Sequence, residues 1–220
     1  MTTPNTTSKT RYAASDESFS DWILLHKRAV TWGIVAVAAL VAIFWFVQRQ
    51  RTIKAQRAES AYFQARRSAA AGNMPLAVSD LQKVAARYEG TLAGTQASLS
   101  LAQALYEQKK FKDGVEALKK AESSAPDDLK ASVHVLEADG YEEMKNFGAA
   151  AEQYKLAVQA TRFPAEKTQY EAAAARAYMA AGKLPEAKAI WTELAKDETG
   201  PEAAEAKVRL GEVTAQPVKI

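Results

Sequence analysis

The chain has 220 residues, a formal net charge of +3 and no cysteine. Without cysteine it can form no disulfide bond and cannot be anchored through a lipidated cysteine. The small excess of basic residues does not indicate nucleic-acid binding, because no zinc-ligand spacing, recognition helix or aromatic and basic sheet accompanies it.

The first part of the chain predicts a tail and a short helix. Residues 1–17 are polar and rich in Thr and Ser, and a segment of this composition is expected to be disordered. Residues 18–28 have the sequence "SFSDWILLHKR", in which Ser18 or Ser20 can cap a helix and Asp21 suits its first turn. We therefore predict a short interfacial helix here, with Trp22 at the membrane surface.

Residues 29–47, "AVTWGIVAVAALVAIFWFV", contain no charged residue. A helix of this length spans roughly 28 Å, close to the thickness of the hydrocarbon core of a bilayer. Its end, "FWFVQRQR", offers no small-x-small cleavage site, so we predict a retained transmembrane helix and not a signal peptide. Basic residues that flank the span are predicted to contact lipid headgroups: Lys27, Arg28, Arg49, Arg51 and Lys54.

After the span, similar residues recur every 36 or 37 positions. The markers of this repeat are the apolar residues Met74, Phe111, Phe147 and Leu184. Three positions later stands a small residue, in the order Ala77, Gly114, Ala150 and Ala187. Seven positions later stands a large apolar residue, in the order Leu81, Leu118, Tyr154 and Trp191. Recurrence at a fixed period predicts four similar units that bury their apolar faces by stacking.

Each unit is predicted to be a pair of helices joined by a tight turn, because apolar residues follow at three-to-four spacing on both sides of the turn. Gly72 and Gly182 suit the left-handed residue that ends a helix, and Pro75 and Pro185 suit the first turn of the next helix. The pattern resembles the tetratricopeptide repeat, best over residues 95–128.

These patterns together predict an all-α fold. A single N-terminal transmembrane helix is followed by an α-solenoid of about four tetratricopeptide-like helix hairpins, with "EAAEAKVRLGEV" as a C-terminal capping helix. The repeat domain is expected to cover residues 48–213 and to be followed by a disordered tail at 214–220. An alanine-rich helical bundle without repeats is the alternative.

Residues 11–220 as a whole resemble a narrower family, the ancillary subunit of the bacterial SecYEG protein-export translocon. The resemblance rests on the layout and on stretches such as "AESAYFQA", "DDLKASVHVLEADGYEEM" and "AAARAYMAAGKLPEAKAIW". It implies a single-pass protein of the bacterial inner membrane, with a cytoplasmic N-terminus and a periplasmic repeat domain. The partners it implies are translocon subunits and a membrane-anchored periplasmic chaperone.

The local charge favours the opposite orientation. Residues 48–67 contain six Lys or Arg, whereas residues 1–28 contain four. The positive-inside rule would then place the C-terminal side in the cytoplasm, although the rule is weak for long domains. A cytoplasm-facing membrane adaptor that assembles another complex is therefore the alternative function.

The sequence contains no arrangement that indicates catalysis. Its two histidines, His26 and His134, are far apart, and it has no GxSxG, phosphate-loop or HExxH motif. We predict no enzyme activity, cofactor, metal site, small-molecule substrate or nucleic-acid partner, and we predict protein partners instead.

The first helix of each hairpin is expected to line a concave face that suits an extended or helical peptide. Some of these residues could instead pack between hairpins. The predicted partner-binding groove comprises Tyr62, Arg66, Leu99, Gln103, Tyr106, Val135, Asp139, Arg176 and Met179.

Overall fold

The computed structural model describes residues 22, 26–197 and 199–215. In this part of the chain nine α-helices follow one another and no β-strand occurs, which confirms the predicted all-α fold. The helices are α1 (Lys27–Ala70), α2 (Met74–Arg87), α3 (Leu92–Glu107), α4 (Phe111–Glu122), α5 (Asp127–Glu143), α6 (Phe147–Ala160), α7 (Pro164–Ala180), α8 (Leu184–Leu194) and α9 (Ala203–Thr214). The predicted tail at 1–17 lies outside the described residues, as does most of the helix predicted at 18–28, within which Trp22 is helical.

The chain divides into two compact units, Met1–Thr52 and Ile53–Ile220. The first unit holds the apolar part of α1, whose length and composition are sufficient to cross a membrane. None of the most apolar stretch of this helix is buried inside the protein. An exposed apolar surface of this size is unfavourable in water, so the geometry agrees with the predicted span at 29–47.

The second unit contains four helix hairpins and a final helix. In the first of these hairpins, Ala65 from the C-terminal part of α1 and Leu81 of α2 belong to one buried cluster that also contains Leu101 of α3. The pairs α3–α4, α5–α6 and α7–α8 follow, and α9 packs against α8. Thr214 still belongs to α9, where its hydroxyl donates to the Leu210 carbonyl at 2.6 Å. The tail predicted at 214–220 therefore begins one residue too early, and its residues 216–220 lie outside the described chain.

The recurrent sequence positions are the buried ones. Alanine stands nine positions before each marker residue, and all four of these alanines are fully buried: Ala65, Ala102, Ala138 and Ala175. The large apolar residues seven positions after the markers are at most 6% exposed, and Trp191 is completely buried. Alanine lets two helix backbones approach closely, and the large residue fills the space beside it, which is the packing that close-packed interiors require.

The turn inside each hairpin has the same geometry in all four copies. A residue with left-handed backbone conformation occupies each turn: Gly72 (φ 77°), Lys109 (φ 59°), Lys145 (φ 61°) and Gly182 (φ 74°). The N–H of the following residue donates to the carbonyl five positions earlier, as Asn73 does to Ser68 at 3.0 Å. This is a Schellman arrangement, and Gly72 and Gly182 have the left-handed conformation that was predicted for them. The sequence did not indicate that two lysines adopt the same conformation.

Candidate partner-binding surfaces

The predicted groove residues of the first two hairpins lie close together in part. The Tyr62 hydroxyl is 3.0 Å from the Ser100 hydroxyl on α3, and the Arg66 guanidinium lies 5.9 Å from the centre of the Tyr62 ring. Gln103 is exposed, whereas Leu99 packs against a buried cluster of α3, α4 and α5. Tyr62, Arg66 and Gln103 therefore remain open to a partner, and Leu99 serves mainly in packing.

Tyr106 lies at the joint between the second and third hairpins. Its hydroxyl donates to the Leu136 carbonyl of α5 at 3.0 Å. Side chains added at Gly114 or Gly140 would collide with its ring or its hydroxyl. The two glycines thus leave the space that the Tyr106 side chain occupies, and this residue joins α3, α4 and α5.

The predicted residues of the last two hairpins belong to a different environment. Asp139 accepts a hydrogen bond from the Tyr154 hydroxyl at 2.9 Å, and burial raises the pKa of the Asp139 carboxyl. Arg176 pairs with Glu205 of α9 at 2.8 Å, which ties the final helix to α7. These hydrogen bonds occupy Asp139 and Arg176 within the protein itself.

Two further residues of the predicted groove pack against the same core. The Met179 sulfur accepts a hydrogen bond from the Trp191 indole N–H at 3.2 Å, and Val135 lies against the same buried cluster. The structure thus brings Tyr62 and Arg66 together, and separately holds Asp139, Arg176 and Met179 by internal contacts.

A second surface, which we call the α3 cleft, was not anticipated from the sequence. It has a volume of about 650 Å³ and lies between α2, α3 and α4. Its floor is formed by α3 and its walls by α2 and α4. A cleft of this size is within the usual range for binding sites. Residues that line the floor are Gly94, Thr95, Ser98, Leu101 and Leu105.

The walls of the α3 cleft are built largely of alanine. Ala85 and Ala86 of α2 face Ala117 and Ala121 of α4 across the floor. Short side chains on both walls leave the space between the two helices unfilled. The only signal in the sequence is that α2 and α4, which are not consecutive helices, both carry alanines on the side that lines the cleft. This signal can be recognised only once the packing of the helices is known.

Charged side chains stand at the edges of the α3 cleft. Glu89, Asp113 and Glu116 line it together with a single cation, Lys120. Lys120 pairs with Glu116 at 2.9 Å. The edge consequently carries an excess of negative charge, which Glu89 and Asp113 supply.

One buried carboxyl group lies outside both surfaces. Glu137 on α5 is completely buried, and within the described chain neither of its carboxylate oxygens has a hydrogen-bond partner. Burial, together with the nearby Glu122, raises its pKa to about 7, although Lys119 acts in the opposite direction. A buried carboxyl without a partner strongly favours its neutral form.

The basic residues predicted to contact lipid headgroups are exposed on α1. Arg28 and Arg49 are separated by about 32 Å along the helix, close to the thickness of the hydrocarbon core. Lys54 lies in the second unit, and its ammonium group donates to the Glu89 carbonyl at 2.8 Å. Among the described residues, no cluster of three or more His, Asp or Glu could hold a metal ion.

Solved structures with a similar fold contain tetratricopeptide-like repeats. Such repeats from a kinesin light chain protein of Podosopora anserina are 20% identical, with a TM-score of 0.54 over 71% of this chain and 85% of that chain. A tetratricopeptide repeat protein of Thermus thermophilus is 22% identical, with a TM-score of 0.45 over 71% of this chain and 80% of that chain. At these identities the first likeness shows the fold alone.

The sequence itself matches a known domain family. No curated protein matches the sequence of this chain. The profile described as the tetratricopeptide repeat-like domain matches residues 21–137, more than half of the chain, and this range includes both the apolar part of α1 and the first hairpins. The chain therefore belongs to the tetratricopeptide repeat-like domain family.

Proposed function

We propose that this protein is a membrane-anchored scaffold for protein–protein interactions that works beside the SecYEG translocon. In this proposal the repeat domain lies in the periplasm and links the translocon to a membrane-anchored chaperone. The observation that supports the anchored scaffold is α1, a 44-residue helix. Its apolar part is exposed over a length suited to a bilayer, and its C-terminal part supplies Ala65 to the core of the repeats.

The surfaces of the repeat domain support binding over catalysis. The α3 cleft and the exposed residues around Tyr62 provide contact area, whereas the polar groups of the third and fourth hairpins are held by internal hydrogen bonds. Repeat domains of stacked hairpins present extended surfaces that suit a protein partner. The assignment to the translocon rests on the resemblance in layout.

A second candidate function is a cytoplasm-facing adaptor. The basic residues that follow the span favour it, since Arg49, Arg51 and Arg57 are all exposed on α1. Such residues are commonest on the cytoplasmic side of a membrane. The two candidates differ in the partner complex and in the side of the membrane that holds the C-terminus, and the second difference is the simpler one to test.

Reporter fusions at the C-terminus distinguish the two candidates. A periplasm-dependent phosphatase and a cytoplasm-dependent fluorescent protein are fused separately to the full chain. Phosphatase activity without fluorescence is expected for the translocon scaffold. Fluorescence without phosphatase activity would rule out the periplasmic proposal and support the adaptor.

Co-purification in a mild non-ionic detergent then tests the partner. Translocon subunits are expected to co-purify with the full chain and to be reduced in the double variant Arg66→Ala and Gln103→Ala, both exposed groove positions. The matched control is Lys112→Ala with Lys188→Ala, exposed on α4 and α8. Absence of translocon subunits from the unmodified chain contradicts the proposed partner.

A further inference from the structure

We propose that the α3 cleft is the docking site for an amphipathic helix of a partner protein, about three turns long and carrying lysine or arginine near both ends of its apolar face. This inference rests on the proposed scaffold function and specifies the chemistry of the partner. It places docking between the second helix of one hairpin and the second helix of the next, away from the first-helix residues predicted from the sequence.

The length of the partner follows from the helices that form the cleft. The lining residues of α3 extend from Gly94 to Leu105, a distance of about 16 Å or three helical turns. Those of α2 and α4 extend over about 12 Å, and Glu89, Gly90 and Ser124 continue both walls in the loops that follow these helices. A groove with a floor of three helical turns suits a fourth helix of about that length.

The apolar character of the partner follows from the floor and the walls. Leu101 and Leu105 are at most 8% exposed and form an apolar base. Alanine on both walls leaves room for apolar side chains at three-to-four spacing to enter from the partner. A partner helix with a leucine-type stripe would therefore cover this base without displacing a large side chain of the protein.

The charge of the partner follows from the two ends of the cleft. Helices α2 and α4 both run opposite to α3, and Gly90 lies beside Ser124 at one end. Glu89 therefore stands near that end, whereas Asp113 stands near the other end, since the adjacent Gly114 lies against Tyr106 of α3. Glu116 is already paired with Lys120. Among the described residues, no ion pair is formed by the carboxylates of Glu89 and Asp113, since Lys54 donates only to the backbone carbonyl of Glu89. One cation at each end of the incoming helix would therefore complement these carboxylates.

The test uses synthetic peptides and the full chain in phosphatidylcholine nanodiscs. The chain contains no cysteine, so Gln82→Cys at the edge of the cleft accepts a single fluorophore. The probe is a twelve-residue leucine and alanine helix with lysine at both ends and an attached quencher, and its twin has glutamate at both ends. Lys188→Cys on α8 carries the same fluorophore as a control for quenching by membrane-bound peptide.

The lysine peptide is expected to quench the label at Gln82→Cys in a saturable way and to have little effect on the label at Lys188→Cys. Reversing the charges with Glu89→Lys and Asp113→Lys is expected to weaken this binding about tenfold. The same double variant is expected to bind the glutamate peptide more tightly than the original chain does. Both reversed residues are exposed, so their replacement leaves the core unchanged.

Equal binding of the lysine peptide before and after charge reversal would overturn the proposal. Equal quenching of the two labels, or no saturable quenching at Gln82→Cys, would also overturn it. The co-purification of translocon subunits with the unmodified chain tests the scaffold separately. If those subunits co-purify while the peptide experiment fails, the proposed docking site is refuted and the proposed scaffold function is not.

Discussion

Replacing Glu137 with glutamine is expected to stabilise the repeat domain above neutral pH and to leave its stability nearly unchanged in mild acid. The carboxyl is completely buried, and its oxygens have no hydrogen-bond partner in the described chain. Charged and titratable groups act on it from two other helices: Lys119 and Glu122 of α4 and Tyr106 of α3. A neutral amide of the same shape removes only the buried negative charge.

The magnitude follows from the difference in pKa between the two states. The pKa of Glu137 is 4.5 in the reference state and about 7 in the folded protein. Between these values the folded protein binds more protons than the unfolded chain, so the free energy of unfolding falls as the pH rises. The slope is about 1.4 kcal/mol per pH unit, and the total loss is about 3 kcal/mol. Below pH 4.5 and above about pH 7 the contribution is constant.

Urea unfolding of the full chain in a mild non-ionic detergent measures this effect. Three of the four tryptophans, Trp22, Trp32 and Trp45, are replaced by phenylalanine, which leaves the buried Trp191 as the reporter in the repeat domain. Glu137→Gln is compared with this background protein at about pH 5 and about pH 8, on either side of most of the titration.

The glutamine variant is expected to match its background at the lower pH and to be about 3 kcal/mol more stable at the higher pH. Glu143→Gln, at an exposed position of the same helix, is the control and should show no such change. A difference between Glu137→Gln and its background that is the same at both pH values would refute the assignment of a raised pKa to this carboxyl.

Three further substitutions test the packing. The new methyl group of Gly140→Ala would collide with the Tyr106 hydroxyl, so this variant is expected to lower the free energy of unfolding by about 1–3 kcal/mol. Adding Tyr106→Phe to it should restore part of this free energy, as measured by urea unfolding. Lys109→Gly relieves a left-handed backbone and should raise the unfolding free energy by up to about 1 kcal/mol; an unchanged midpoint contradicts this. Arg176→Gln removes the ion pair with Glu205 and should lower the free energy of unfolding by about 0.5 kcal/mol. It is also expected to accelerate hydrogen exchange in α9 but not in α3.

The repeat architecture could be predicted because its signals are local and recur. Met74, Phe111, Phe147 and Leu184 each begin the second helix of a hairpin, as their spacing indicates. Gly72 and Gly182 could be placed because glycine is the residue that a left-handed turn favours. Lys109 and Lys145 could not, because a lysine in that conformation has no signature apart from its position in the repeat.

The binding surfaces were harder to predict because they depend on pairs of helices that are distant in sequence. Periodicity predicted Tyr106 as a residue of the partner-binding groove, whereas the space that receives its ring is created by Gly114 and Gly140 on two later helices. The α3 cleft requires knowing that α2 and α4 flank α3. The burial of Glu137 could not be predicted from the sequence either, because a glutamate on a helix is usually solvated.

The order in which the helices pack has a mechanical consequence. From α2 to α9, each helix packs mainly against the helices that directly precede and follow it. A force that pulls the two ends of the chain apart therefore acts on the hairpins one after another, as on links in series. Each hairpin of 36 or 37 residues that detaches lengthens the chain by about 130 Å. Under tension the repeat domain can thus unfold one hairpin at a time, and the hairpins can refold in the same way when the force is removed.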